Sequence, residues 1–129
     1  MYAAHDNIVI SYEVNLAKQT IFLYTEERTQ LHVKNIVLKF SDVLAHKFEN
    51  EIHGSVILDI CEEDIASFVK DNINLLERKD GCSWPCFYNT IAELDKKLMN
   101  ERYRYFLITP SYGFSGWVIS KQYNVMTKD

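Results

Sequence analysis

The sequence predicts an α+β fold, an antiparallel sheet of about six strands with two main helices packed on one face. Three observations predict it. Short runs rich in β-branched and aromatic residues, four before residue 61 and two after residue 102, have the composition of strands. Two segments between them repeat apolar residues at three- and four-residue steps, the period of an amphipathic helix. The strands are grouped at the two ends of the chain, which excludes the strict β-α alternation of a doubly wound sheet.

Taken in order, Ile8, Ile10, Tyr12 and Val14 alternate with Val9, Ser11 and Glu13, the period of a half-buried strand. Asn15 begins a turn, and "TIFLYT" reads as the hairpin partner. In "LHVKNIVLKF" the apolar parity switches between Val33 and Ile36, which predicts an inserted residue and a bulge. "SDVLAHKFEN" fits one helical turn and an irregular strand equally well. "SVILDI" is short, apolar and β-branched, so a buried strand is expected. Ile65, Phe68, Val69, Ile73 and Leu76 place a helix over roughly 62–78. Thr90 and Glu93 have the spacing of a capping box, and Ile91, Leu94 and Leu98 give the second helix its stripe, ending near Asn100. "YRYFLIT" and "GWVISKQYNV" read as strands around the turn "PSYGFS", with Gly113 and Gly116 as turn glycines.

A chain of 129 residues with 47% hydrophobic and 13% aromatic content suits one domain, 1–129, with its own core. No repeat or Pro/Gly/Ser linker marks a boundary. No apolar run approaches the roughly 20 residues that span a bilayer. The N-terminus lacks a basic start and an apolar h-region, so no secretory signal is read and a cytoplasmic location, away from membranes, is expected. Cys61, Cys82 and Cys86 are too few and odd in number for a disulfide framework. "CSWPC" spaces its pair one residue wider than the usual redox or zinc pair and has no second pair to complete four ligands, so no metal or other cofactor is expected.

The net charge of -4 is unevenly spread. Residues 42–80 hold ten acids against four bases, and the flanking thirds are balanced or slightly basic. "DICEED", Asp59–Asp64, lies at the centre of the acidic part. Glu62, Glu63 and Asp64 are expected in the first turn of the helix, where the dipole favours carboxylates. Consecutive residues fan out by about 100° on a helix, so these acids do not converge as a catalytic pair. His46 and His53 are seven residues apart, about 10 Å on a helix, too far to share a metal ion. No nucleophile elbow or glycine-rich phosphate loop is present, and catalytic residues are not assigned. One cluster has a nucleic-acid character: Lys96, Lys97, Arg102 and Arg104 surround Tyr103, Tyr105 and Phe106, cations with rings on which bases could stack. A small RNA- or single-strand-binding module is therefore the alternative function, disfavoured by the acidic balance of the chain.

The combination of an acidic, motif-free chain with "FSDVLAHKFEN", "ILDI", an acid-started helix and a closing "SGWVIS" resembles the small immunity proteins of bacterial contact-dependent growth inhibition and related polymorphic-toxin systems. The resemblance implies a cytoplasmic, non-enzymatic protein that binds and neutralises a cognate secreted toxin domain, often a basic nuclease. Acids at Asp59, Glu62, Glu63, Asp64, Glu49 and Glu51 would supply a surface complementary to such a partner. Trp84, Tyr112 and Phe114 are the candidate aromatic anchors.

Overall fold

A computed structural model describes residues 5–77 and 84–128. Its strands are β1 (Asn7–Asn15), β2 (Thr20–Arg28), β3 (Val33–Glu49), β4 (Val56–Glu63), β5 (Arg104–Tyr112) and β6 (Ser115–Lys128). Between β4 and β5 lie α1 (Ile65–Asp71), α2 (Ile73–Leu76) and α3 (Ile91–Asn100). All neighbouring strands pair antiparallel, and the sheet closes on itself in the order β1-β2-β3-β6-β5-β4. The expected α+β architecture, a sheet with two helices on one face, is thus corrected to a closed six-stranded barrel. The physical reason is β3. "SDVLAHKFEN" does not leave the strand but continues it, giving 17 residues that pair with β2 over the first half and with β6 over nearly the whole length. Closure depends on strand stagger and tilt, which a count of strands does not contain.

The barrel is filled. Ile21, Leu23, Leu38, Phe40, Ile60, Phe106 and Val118 form an interior cluster, with Phe40 edge-on to Phe106 at 5.6 Å and stacked with Tyr123 at 4.9 Å. A second cluster lies outside the wall. Phe68, Leu94 and Leu98 from the helices pack on Tyr105, Trp117 and Ile119 of β5 and β6. The aromatic–aliphatic runs "YRYFLI" and "GWVIS" are continuous because these two strands are covered on both faces.

Bulges reassign several side chains. On β1 the register shifts between Val9 and Ser11, so Val9 and Val14 both pack on the interior cluster although they differ in parity. The single face expected for Ile8, Ile10, Tyr12 and Val14 is split by that shift, and Ile10 is 52% exposed. The bulge expected between Val33 and Ile36 does not occur. Pairing with β2 runs unbroken from Val33 to Ser41, and Val33 is simply an outward residue. The shift on β3 falls instead between Val43 and Ala45, next to Asp42 at φ 54°.

β4 carries the chain extended through Glu63, where Glu62 pairs with Phe106 and Glu63 with Tyr105. The expected placement of Glu62, Glu63 and Asp64 in a helical first turn is therefore corrected: α1 begins at Ile65, and Asp64 is its N-cap without a side-chain cap bond. As long as β5 offers ladder partners, about 1 kcal/mol per hydrogen bond outweighs the few tenths that a helix start gives a carboxylate. The long helix expected over 62–78 is broken at Asn72, whose side-chain amide donates to the Phe68 carbonyl at 2.9 Å; its last residue lies outside the described residues. Half of the expected capping box forms: the Glu93 N–H donates to Thr90 Oγ1 at 3.1 Å, but the Glu93 carboxylate accepts the N–H of Asn89, one residue before the cap, at 3.4 Å. Of the two expected turn glycines, Gly113 (φ 75°) makes the tight β5–β6 turn, but Gly116 lies within β6 opposite Phe48. A Cβ on Gly116 would sit 2.0 Å from the Lys47 carbonyl oxygen, so the close approach of β3 fixes this residue. Among the described residues no helix is long and apolar enough to cross a membrane.

Gly116→Ala should consequently lower stability by about 1–3 kcal/mol through overpacking of the β3–β6 pair. Urea unfolding followed by far-ultraviolet circular dichroism measures it, and a midpoint equal to that of the wild type would contradict the packing described.

Candidate functional site

The barrel is closed unevenly. β1 pairs with β4 only through Asn7 and Ile8, and the next link is the Val9 N–H donating to the Ser55 carbonyl at 2.9 Å. Beyond that point the turn 50–55 fills the gap between the strands. Buried Ser55 holds the turn in place: its hydroxyl donates to the Ile52 carbonyl at 2.6 Å and accepts the Phe114 N–H at 3.0 Å. Between Ile8–Tyr12 of β1 and this turn lies a concavity of about 660 Å³ with Phe114 in its lining.

Tyr12 is the central residue of that concavity. Its ring packs on Phe48 at 4.9 Å and Phe114 at 5.6 Å, and its hydroxyl donates to Glu51 Oε2 at 2.5 Å. That hydrogen bond, with burial and the negative charge of Glu51, raises the Tyr12 pKa above its ordinary value. The tyrosine therefore stays neutral. The cation in the lining, Arg28, is already committed to Glu26 at 2.7 Å. Around the opening stand Ile10 and Ile52, 52% and 54% exposed. Register places Ile8, Val56 and Tyr112 in one row across three strands, and Tyr112 is 54% exposed.

The structure divides the expected partner-binding residues into three groups. Glu51 and Phe114 line the concavity, Tyr112 is in the row beside it, and Glu49 lies opposite Ser115 with its carboxylate 3.9 Å from Lys47 Nζ. Phe114, at 2% exposure, belongs to the barrel interior, which corrects its expected role as a surface anchor. Asp59, Glu62, Glu63 and Asp64 form a second group toward the other end of β4, ~23 Å from Val56 to Glu63 at the usual strand rise. Within it Glu62 is neutralised by the molecule itself: Arg104 Nη2 and Nε donate to its two oxygens at 2.7 and 3.1 Å, with the guanidinium 4.9 Å from the Phe106 ring. The hydrogen bonds from Arg104 hold the Glu62 carboxyl below its usual pKa. Asp59 is half-buried and accepts the Ile60 N–H at 2.8 Å, whereas Glu63 and Asp64 are exposed. The third group is Trp84 alone, tilted against Trp117 at 5.9 Å in the outer core.

The basic-aromatic cluster is likewise absorbed by the fold. Tyr105 and Phe106 are buried, Arg104 is paired with Glu62, and Lys121 lies over the Tyr103 ring at 5.0 Å. Two of the three rings of the cluster are therefore inside the molecule, and Tyr103 is half-buried. The histidines do not converge: half-buried His46 packs on Phe48 at 4.9 Å, with its pKa lowered by burial, while His53 lines the concavity. Among the described residues no group of three or more His, Cys, Asp or Glu is arranged to hold a metal ion. Cys61 and Cys86 are free thiols whose pKa values are raised, first by burial; Cys82 lies outside the described residues.

Ile10, Tyr12 and Ile52 were not legible as site residues. The period of β1 assigns Ile10 and Tyr12 to a buried face, and only the bulge turns one of them outward. The sequence matches no known family model, and no match is found among curated proteins or solved structures.

The Glu62–Arg104 pair gives a pH test with a defined sign. Because the folded carboxyl titrates below the unfolded one, the stabilisation is present above about pH 4.3 and is lost as pH falls through the depressed folded value. Both side chains are more than a third exposed, so solvent screening keeps the effect under about 1 kcal/mol. Arg104→Gln should flatten this limb in urea titrations between pH 3 and 6; an unchanged limb would show that the pair contributes nothing.

Proposed function

We propose that this chain is an immunity-type binding protein that neutralises a cognate toxin domain in the cytoplasm by occupancy, without catalysis. The observation that carries the reading is the exposed apolar concavity beside β1 with an unneutralised carboxylate, Glu51, in its lining. Exposed apolar groups clustered around a concave surface are the usual mark of a protein-binding face. Ile10, Ile52 and Tyr112 can be desolvated by a partner, which supplies affinity. Glu51 in the lining, with exposed Glu63 and Asp64 toward the other end of β4, gives the molecule a negative field that at low salt speeds encounter with a basic partner such as a nuclease.

Growth rescue with a matching binding assay tests the proposal. A toxin domain encoded in a reading frame adjoining that of this chain, identified by sequencing the flanking DNA, is expressed in a test strain with and without the chain. Rescue together with a co-eluting complex on size exclusion is the expected outcome; arrest in both strains with no complex would overturn it. In stopped-flow mixing at low salt, the triple variant Glu51→Lys, Glu63→Lys, Asp64→Lys should lose about tenfold or more in association rate, with a weaker salt dependence. An unchanged rate would remove the negative face from the account.

A further inference from the structure

β1 has two edges, and only one is satisfied along its length. On one side it pairs with β2 from Ile8 to Asn15. On the other, among the described residues, strand pairing stops at Ile8 and the backbone link from Val9 to Ser55 follows it. From Ile10 to Val14 the gap to the next wall is bridged by rings, Tyr12 against Phe48 and Phe114. In an antiparallel ladder every second residue turns its N–H and C=O toward the outer edge. An edge of this kind is a template for another strand, and natural proteins usually guard it with charge, proline or cover. Here the guard is partial: exposed Glu13 and the bulge lie on this edge, yet Ile10 is 52% exposed, Ile52 is 54% exposed across the concavity, and no proline or lysine lies between Ile8 and Asn15.

We propose that the outer edge of β1, from Ile10 to Val14, takes up an extended segment of the partner as an added strand, with apolar side chains at alternate positions and a basic side chain at Glu51. Main-chain hydrogen bonds to β1 would give this contact its strength, and side chains seated in the concavity would give it selectivity. The basic residue follows from charge: Arg28 is engaged by Glu26, so the charge left open in the lining is the Glu51 carboxylate, held in place by Tyr12. The inference rests on the binding role proposed above, and it names the kind of segment recognised.

The experiment uses the intact chain and a phage-displayed library of random dodecapeptides, panned on the wild type and counter-selected on Ile10→Lys. Ile10 is exposed, so this variant keeps the fold, which circular dichroism verifies; Ile10→Thr keeps both the strand propensity and the neutral edge. Enriched peptides should alternate apolar residues with Lys or Arg and should slow amide exchange at Ile10–Val14. Their Kd should rise about tenfold or more on Ile10→Lys and on Glu51→Lys, but far less on Ile10→Thr. Peptides that bind all variants equally, or protect amides elsewhere, would overturn the proposal, as would the absence of any enriched binder. A concentration-dependent dimer abolished by Ile10→Lys would assign the edge to a second copy of the chain and overturn it as well. None of these readouts uses a toxin, so growth rescue with an unprotected β1 edge sinks this inference alone, and an occupied edge without rescue sinks only the neutralising role.

Discussion

β3 must serve two neighbours whose directions differ, and it does so by bending in mid-strand. Over Ile36–Phe40 its even residues fill the barrel, facing β2 on one flank and the last part of β6 on the other. After Asp42, at φ 54°, and the register shift before Ala45, it is paired with β6 alone, and Ala45 joins the outer core under the helices. A straight strand of 17 residues would run ~56 Å and could not wrap so small a core. The bend is therefore the condition for closure. It is also where the β2–β3 ladder stops, at the Thr20–Ser41 pair.

The wall formed by β5 and β6 has the opposite character. Tyr105, Trp117 and Ile119 face the helices while Phe106, Ile108 and Val118 face the interior, so two clusters share one pair of strands. Phe68 packs on both Tyr105 and Trp117, at 5.3 and 5.0 Å. The short helices need this arrangement, since α2 spans four residues and helices this short are not stable alone.

Local signals were legible in the sequence where they depend on neighbours a few residues away. The Thr90 half of the capping box, the turn glycine Gly113 and the strand character of Val56–Ile60 were all of this kind. Closure was not, because the Asn7–Ile57 and Ile8–Val56 pairs join residues about fifty positions apart and no local pattern encodes them. The same holds for "DICEED". Its composition fits a helix start, but the partners Phe106 and Tyr105 that keep Glu62 and Glu63 extended lie more than forty residues away. The acids were visible and their setting was not: one is spent on Arg104, two stand exposed, and Glu51 faces a concavity that the chain reveals only when folded.

The short β1–β4 ladder gives the open edge its setting. Extending the β1–β4 ladder past Ile8 would add backbone hydrogen bonds worth about 1 kcal/mol each and cover Ile10 and Ile52. The chain instead inserts a bulge at Ile10, positive φ at Asn50 and Gly54, and a serine whose buried hydroxyl ties the turn to Phe114. The turn stays tied to β1 through Val9 and Tyr12 without continuing the ladder. Such an edge invites unwanted pairing, so keeping it apolar runs against both stability and solubility. The barrel is least complete where these local devices meet, between the bulge on β1 and the turn 50–55.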